Sequence, residues 1–213
     1  MDRDLLLRRA LAGRLVAIVR LRDGTALLDV AAALVEGGIT TLEFTLTTPG
    51  AVEAIERCRA RFGEAVVVGA GTVLDAEGAR RCLAAGAQFL VSPGFDPDVI
   101  AAARAAGALA MPGAMTPTEI LAAWRAGADV VKVFPARSLG PRYIADVLAP
   151  LPDVLLMPTG GVDATNAADY VRAGAVGVAV GGNLVDPAAV ARADWATLTQ
   201  RARALVDAVA IQE

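Results

Sequence analysis

The sequence predicts an α/β protein: a single (β/α)8 TIM barrel spanning residues 1–213, with an extra N-terminal helix. Three observations carry that expectation. A helix-like segment, then Gly-Ala, then a short apolar run returns as LAAGAQFLVSPG, RAAGALAMPGAM, WRAGADVVKVFPA and VRAGAVGVAVGG. The apolar runs are rich in Val, Ile and Leu and lack polar alternation, as strands covered on both faces do. Alternation of such runs with helical segments gives eight units of about 20 to 23 residues, a number that favours closure into a small barrel. A doubly wound open sheet shares this alternation and is the second expectation.

The elements follow in order. The opening stretch, MDRDLLLRRALAGRL, breaks its apolar run with Arg8 and Arg9. It is too short for a signal-peptide core and reads as an amphipathic helix that caps the barrel floor. Strands are expected at 16–21, 41–46, 66–69, 88–92, 109–111, 129–134, 154–158 and 177–180. The intervening helices open on Asp, Thr or Pro, as in DAEGARRCL, DPDVIAAARAA and TPTEILAAW, residues suited to a helix start. Gly86, Gly107, Gly127 and Gly174 stand where helices stop, a place that favours left-handed backbone. GAGTVL at 69–74 begins like a dinucleotide fingerprint but has Leu74 in place of the third glycine or alanine. It reads instead as a strand end with a close-packed loop.

Composition narrows the function. Hydrophobic residues form 55% of the 213, enough for a large core. A formal net charge of -3, with scattered arginines, argues against a nucleic-acid partner. No apolar run reaches the ~20 residues of a membrane span. Cys58 and Cys82 fall in helical segments without CxxC spacing, which suits a reducing cytoplasm. The chain has no histidine, so the commonest metal ligand and general base are missing. No metal site is expected.

Of 20 basic residues one is a lysine, Lys132, set within the valines of ADVVKVFPA. A buried ammonium without a partner is costly, so the amine there is driven toward its neutral, nucleophilic form. Arginine cannot replace it in Schiff-base chemistry. The plainer reading is a lysine whose tip snorkels to water. Glu43, in TTLEFTLTTPG, would place a carboxylate beside the amine to relay protons, or else form a structural ion pair. Arg20, ending the first strand, suits a carboxylate clamp, with a surface ion pair equally open. Thr72 offers a hydroxyl donor. The glycine pairs Gly160–Gly161 and Gly181–Gly182, with Asn183, lie in the loops where this fold binds phosphate; ordinary tight turns are the alternative.

In this order, LEFTLTTP, GAGTVL, FLVSPG, MPGAMTPTE, VKVFPA, PTGGV and VGGNL resemble the 2-keto-3-deoxy-6-phosphogluconate (KDPG) aldolase and 4-hydroxy-2-oxoglutarate aldolase family. The resemblance implies a metal-free class I aldolase, a homotrimer acting on a phosphorylated 2-keto acid. It casts Lys132 as the Schiff-base lysine, Glu43 as the acid/base and Thr72 as a carboxylate ligand. Phe134, Pro93, Thr47 and Thr159 fall at the pocket, and the TGG and GGN loops receive phosphate. The family's LEVTLRT pattern carries an arginine where this chain has Thr47. Arg20 resembles the alternative clamp of 2-dehydro-3-deoxy-6-phosphogalactonate aldolases, which leaves the C4 epimer open. A sugar-phosphate isomerase and a non-catalytic scaffold are the rival classes.

Overall fold

In this computed structural model the described residues are 2–210. The chain runs α1 (Arg3–Leu11), β1 (Leu15–Val19), α2 (Leu27–Glu36), β2 (Thr41–Thr45), α3 (Ala51–Phe62), β3 (Val67–Gly71), α4 (Ala76–Ala84) and β4 (Phe89–Val91). It continues through α5 (Pro97–Ala105), β5 (Leu109–Met111), β6 (Gly113–Ala114), α6 (Pro117–Arg125) and β7 (Val131–Val133). Then come α7 (Gly140–Leu148), β8 (Leu156–Pro158), α8 (Ala167–Arg172), β9 (Val178–Val180), α9 (Pro187–Ala191) and α10 (Trp195–Val209).

Helix starts follow the expected chemistry. Asp75, Asp96 and Asp186 accept hydrogen bonds from first-turn N–H groups, and Thr116 with Glu119 forms a reciprocal capping box. Gly86, Gly107, Gly127 and Gly174 all hold positive φ after their helices.

Six parallel strands form a sheet in the order β5-β4-β3-β2-β1-β9, curled into a half-barrel; β6-β7-β8 form a second parallel sheet. Pro112 separates β5 from β6. Lacking an N–H, it interrupts the ladder at that point, and its carbonyl accepts from the Lys132 N–H at 2.9 Å. At the other edge a single parallel bridge joins Thr159 to Ala179. The strand expected at 109–111 is β5, and beyond Pro112 the chain adds the two-residue β6.

Both faces of the strands are buried, and the two faces differ. Val16 and Ile18, Val67, Phe89 and Val91, Leu109 and Met111, Met157 and Ala179 point to one inner cluster. Their neighbours Leu15, Ala17 and Val19, Leu42 and Phe44, Val131 and Val133 pack outward under the helices. The helix α1 adds Leu6 and Ala10 to the inner cluster, closing the end where strands begin. It is tied there by two 2.7 Å bonds from Arg3 Nη2 to the Asp129 carboxylate, and by Thr41 Oγ1 donating to the Ala10 carbonyl at 2.9 Å. Each large inner side chain contributes ~1.5–3 kcal/mol, which offsets the cost of the few polar groups among them. Among the described residues no helix is long and apolar enough to cross a membrane.

Candidate active site

Glu43 and Lys132 are the two ionisable side chains of the inner layer. Alternation along TLEFT sends Leu42 and Phe44 outward and Glu43 inward; along VKV it sends both valines outward and Lys132 inward. Glu43 is 1% exposed and Lys132 7%. Both line a void of about 10 Å³ with Val16, Val91, Met111, Val130, Met157, Thr159 and Ala179. That volume is about the space of one water. No ion pair joins the two groups, and Glu43 Oε1 is buried without a hydrogen-bond partner.

Burial dominates both titrations. Desolvation holds the Glu43 carboxyl above the usual carboxylate range, against the opposing pull of Lys132 and Arg20. Desolvation likewise holds the Lys132 amine below the usual lysine range, opposed by Glu43 and assisted by Arg20. Burial thus works toward the uncharged form of each group. Lys132 Nζ lies 5.0 Å from the centroid of the Phe134 ring, and both side chains face a common cavity.

A larger cavity of about 250 Å³ opens above, sharing Lys132, Thr159 and Ala179 with the inner void. Arg20, Phe134, Gly160, Gly161, Gly181, Gly182 and Asn183 also line it. Gly160 and Gly161 hold φ of +90° and +84°, backbone that a side chain would strain. Among the described residues the N–H groups of Gly160, Gly161, Gly182 and Asn183 donate to no protein acceptor. Unused N–H groups of this kind form an anion-binding concavity. The Asn183 side chain is already engaged: its Nδ2 donates to the Val162 carbonyl at 3.0 Å and staples the two glycine loops together.

Arg20 sits one residue past the end of β1, and its Nη2 donates to Thr72 Oγ1 at 3.3 Å, reaching over β2 to the end of β3. Thr72 holds a left-handed φ of +58°. Thr47 lines the clefts beside Arg20 and beside Thr72 rather than the cavity of Lys132. Pro93 is exposed in the loop after β4, with its carbonyl against Gly113, and lines neither the cavity nor the void.

Two residues were not legible as site residues in the sequence. Gly71 faces Glu43 so closely that a Cβ there would overlap the carboxylate. Arg137 lines the cavity beside the glycine loops. The first has a faint signal, a glycine one strand away from a lone buried acid. The second has none, because one exposed arginine among many looks like surface charge.

A buried amine whose pKa is pulled down, a buried carboxyl whose pKa is pushed up, room for one water, an arginine and unused backbone N–H groups together suit attack on a ketone of an acidic substrate. The family model described as KDPG and KHG aldolase matches residues 7–201. The 2-dehydro-3-deoxy-phosphogluconate aldolase of Treponema pallidum is 41% identical over 188 residues, 87% of this chain and 89% of the relative. The 2-dehydro-3-deoxy-6-phosphogalactonate aldolase of Escherichia coli is 33% identical over 171 residues, 80% of this chain and 83% of the relative. Among solved structures, KDPG aldolase from Legionella pneumophila, with pyruvate captured at low pH as a covalent carbinolamine intermediate, is similar with a TM-score of 0.85. It is 26% identical, and the match covers 96% of this chain and 98% of that one.

Proposed function

We infer the reaction from one premise: the chain belongs to the KDPG and KHG aldolase family. It is a lyase, a class I aldolase that cleaves KDPG to pyruvate and glyceraldehyde 3-phosphate, or 4-hydroxy-2-oxoglutarate to pyruvate and glyoxylate. The observation that carries this reading is the pairing of Lys132 with Glu43 around one water-sized void beneath the cavity.

Neutral Lys132 adds to the C2 ketone, giving a carbinolamine. Proton transfer from Glu43, relayed by one water that the void has room for, expels the carbinolamine hydroxyl as water and leaves a protonated imine. The new fixed positive charge beside Glu43 lowers its pKa, so the carboxyl that entered as an acid now serves as a base. The C4 hydroxyl loses its proton to it, the C3–C4 bond breaks, and its electrons flow into the imine to give an enamine. The aldehyde leaves; C3 is then protonated, and water hydrolyses the imine to pyruvate and free amine. The amine itself supplies the electron sink, so no metal enters this scheme. Arg20 and Thr72 hold the substrate carboxylate, and Phe134 and Thr159 shape the pocket, while Thr47 borders the neighbouring clefts and Pro93 stays outside the cavity. The glycine loops with Asn183 receive phosphate.

The galactonate epimer is a second reading, favoured by one feature. Position 47 is a threonine, and the cation near the keto-acid end is Arg20, on another strand.

The same proposal includes a closed eight-stranded barrel, supported by the Thr159–Ala179 bridge and the bond from Lys132 N–H to Pro112. It includes a homotrimer, supported by the exposed Leu74, Phe95 and Met115 on successive loops at one end. A cytoplasmic setting is supported by two free buried thiols.

Borohydride reduction with pyruvate, followed by peptide mapping, tests the reaction. A reduced pyruvyl adduct on Lys132 is expected; an isomerase or a scaffold would leave that lysine unmodified.

A further inference from the structure

We propose that Arg137 is the specificity-determining cation at the phosphate end of the cavity, the group by which this chain favours a phosphorylated aldehyde half over an unphosphorylated one. The inference rests on the aldolase reading above and adds to it a residue that neither the strand pattern nor the glycine loops contain.

Three cationic side chains line the cavity: Lys132, Arg20 and Arg137. Lys132 lies in the dry layer beneath, where burial works toward its neutral form. Arg20 is drawn toward β3 by Thr72, away from the loops that follow β8 and β9. Arg137 stands on the opposite flank, after β7, next to those loops. The Arg137 N–H donates to the Gly160 carbonyl at 2.9 Å, fixing the backbone of one loop against the other.

The side chain lies along Gly161. A Cβ built at 161 would stand 2.5 Å from Arg137 Cβ and 3.3 Å from its Nε. The absence of a side chain at Gly161 is therefore what lets the arginine stem lie over the cradle. Among the described residues no carboxylate pairs with Arg137, whereas Arg3, Arg59 and Arg201 each have one. Its fork of donors is left for a ligand.

The chemistry of the cradle calls for such a group. The free N–H groups of Gly160, Gly161, Gly182 and Asn183 are neutral donors, while a phosphate monoester carries about -1.5 to -2 charge at neutral pH. Arginine meets phosphate oxygens with two parallel N–H bonds and full charge. With Arg20 at the other flank, the cavity has a cation at each end and suits a substrate with an anion at each end.

The test is aldol addition of pyruvate to D-glyceraldehyde 3-phosphate and to D-glyceraldehyde by the wild type, Arg137→Ala and Arg137→Lys. The ratio of kcat/KM for the phosphorylated over the plain aldehyde is expected to fall about 10- to 100-fold in Arg137→Ala, chiefly through KM. Arg137→Lys should recover part of the loss, because charge returns without the fork. Borohydride trapping of pyruvate on Lys132 is expected in all three proteins. Trapping intact with a ratio within about threefold of wild type in Arg137→Ala overturns this inference and leaves the aldolase reading standing. No trapping in the wild type overturns both.

Discussion

Gly71 and Glu43 occupy complementary space on adjacent strands: the missing side chain of one is filled by the carboxylate of the other. Gly71→Ala must therefore push Glu43 out of the inner layer or spread β2 from β3. We expect a loss of roughly 1–3 kcal/mol in stability and about a hundredfold in kcat. In a Glu43→Ala background the same change should cost far less, because the clash is gone. A double-mutant cycle in urea reads the coupling; additive losses would mean that the two side chains do not share the space.

Lys132→Arg keeps a long basic side chain but fixes its charge and removes the nucleophile. Borohydride trapping should disappear and turnover fall by at least about a thousandfold. In the wild type, trapping should weaken as pH falls and the amine takes up a proton, with a midpoint below the ordinary lysine value. Glu43 pulls that midpoint up and Arg20 pushes it down. Glu43→Gln should accordingly shift it to lower pH and Arg20→Ala to higher pH, measured as the trapping rate against pH.

The raised Glu43 pKa has a stability consequence of definite sign. Below its unfolded value, ~4.3, the carboxyl is protonated in both states and costs nothing extra. As pH rises past that value the unfolded chain gives up the proton more readily, so the wild type loses stability until the folded carboxyl also titrates. Glu43→Gln should therefore match the wild type in acid and gain a few degrees in Tm at neutral to alkaline pH, while losing activity. Thermal melts from pH 4 to 9 would show a constant gap if burial of this acid were not the cause.

Arg20→Ala leaves the amine and acid in place and removes the proposed clamp. KM for the keto acid should rise about tenfold or more, with the trapped residue still Lys132. An unchanged KM for pyruvate would assign carboxylate binding to other groups.

Burial raises both thiols, Cys58 and Cys82, to about 11. Almost no thiolate exists at pH 7.5, and both side chains are buried. Ellman's reagent should label the native protein very slowly and both residues promptly in denaturant.

Much of this site is readable from the chain, for identifiable reasons. Lys132 is conspicuous because arginine carries every other basic position, and a buried lysine among valines conflicts with ordinary burial chemistry. The helix ends are readable because Asp75, Asp96 and Thr116 act locally on N–H groups a few residues away. Strand limits shift by a residue or more: β1 stops at Val19, so Arg20 lies beyond the ladder, whereas the strand expected at 109–111 coincides with β5 and the two-residue β6 beyond Pro112 goes unread. Gly71 and Arg137 escape sequence reading because their roles depend on partners 28 and 24 residues away, Glu43 and Gly161, which only the folded chain brings close.

The short N-terminal helix acts as a stopper. Leu6 and Ala10 cover the inner cluster from below, and the Arg3–Asp129 latch secures them just three residues from Lys132 in sequence. With that end covered, the cavity that reaches Lys132 lies at the opposite end, among the loops that follow the strands. Cutting the stopper away would let water reach the inner layer from below and remove the desolvation that holds the Lys132 amine below the usual lysine range, weakening the nucleophile without touching a single reacting atom.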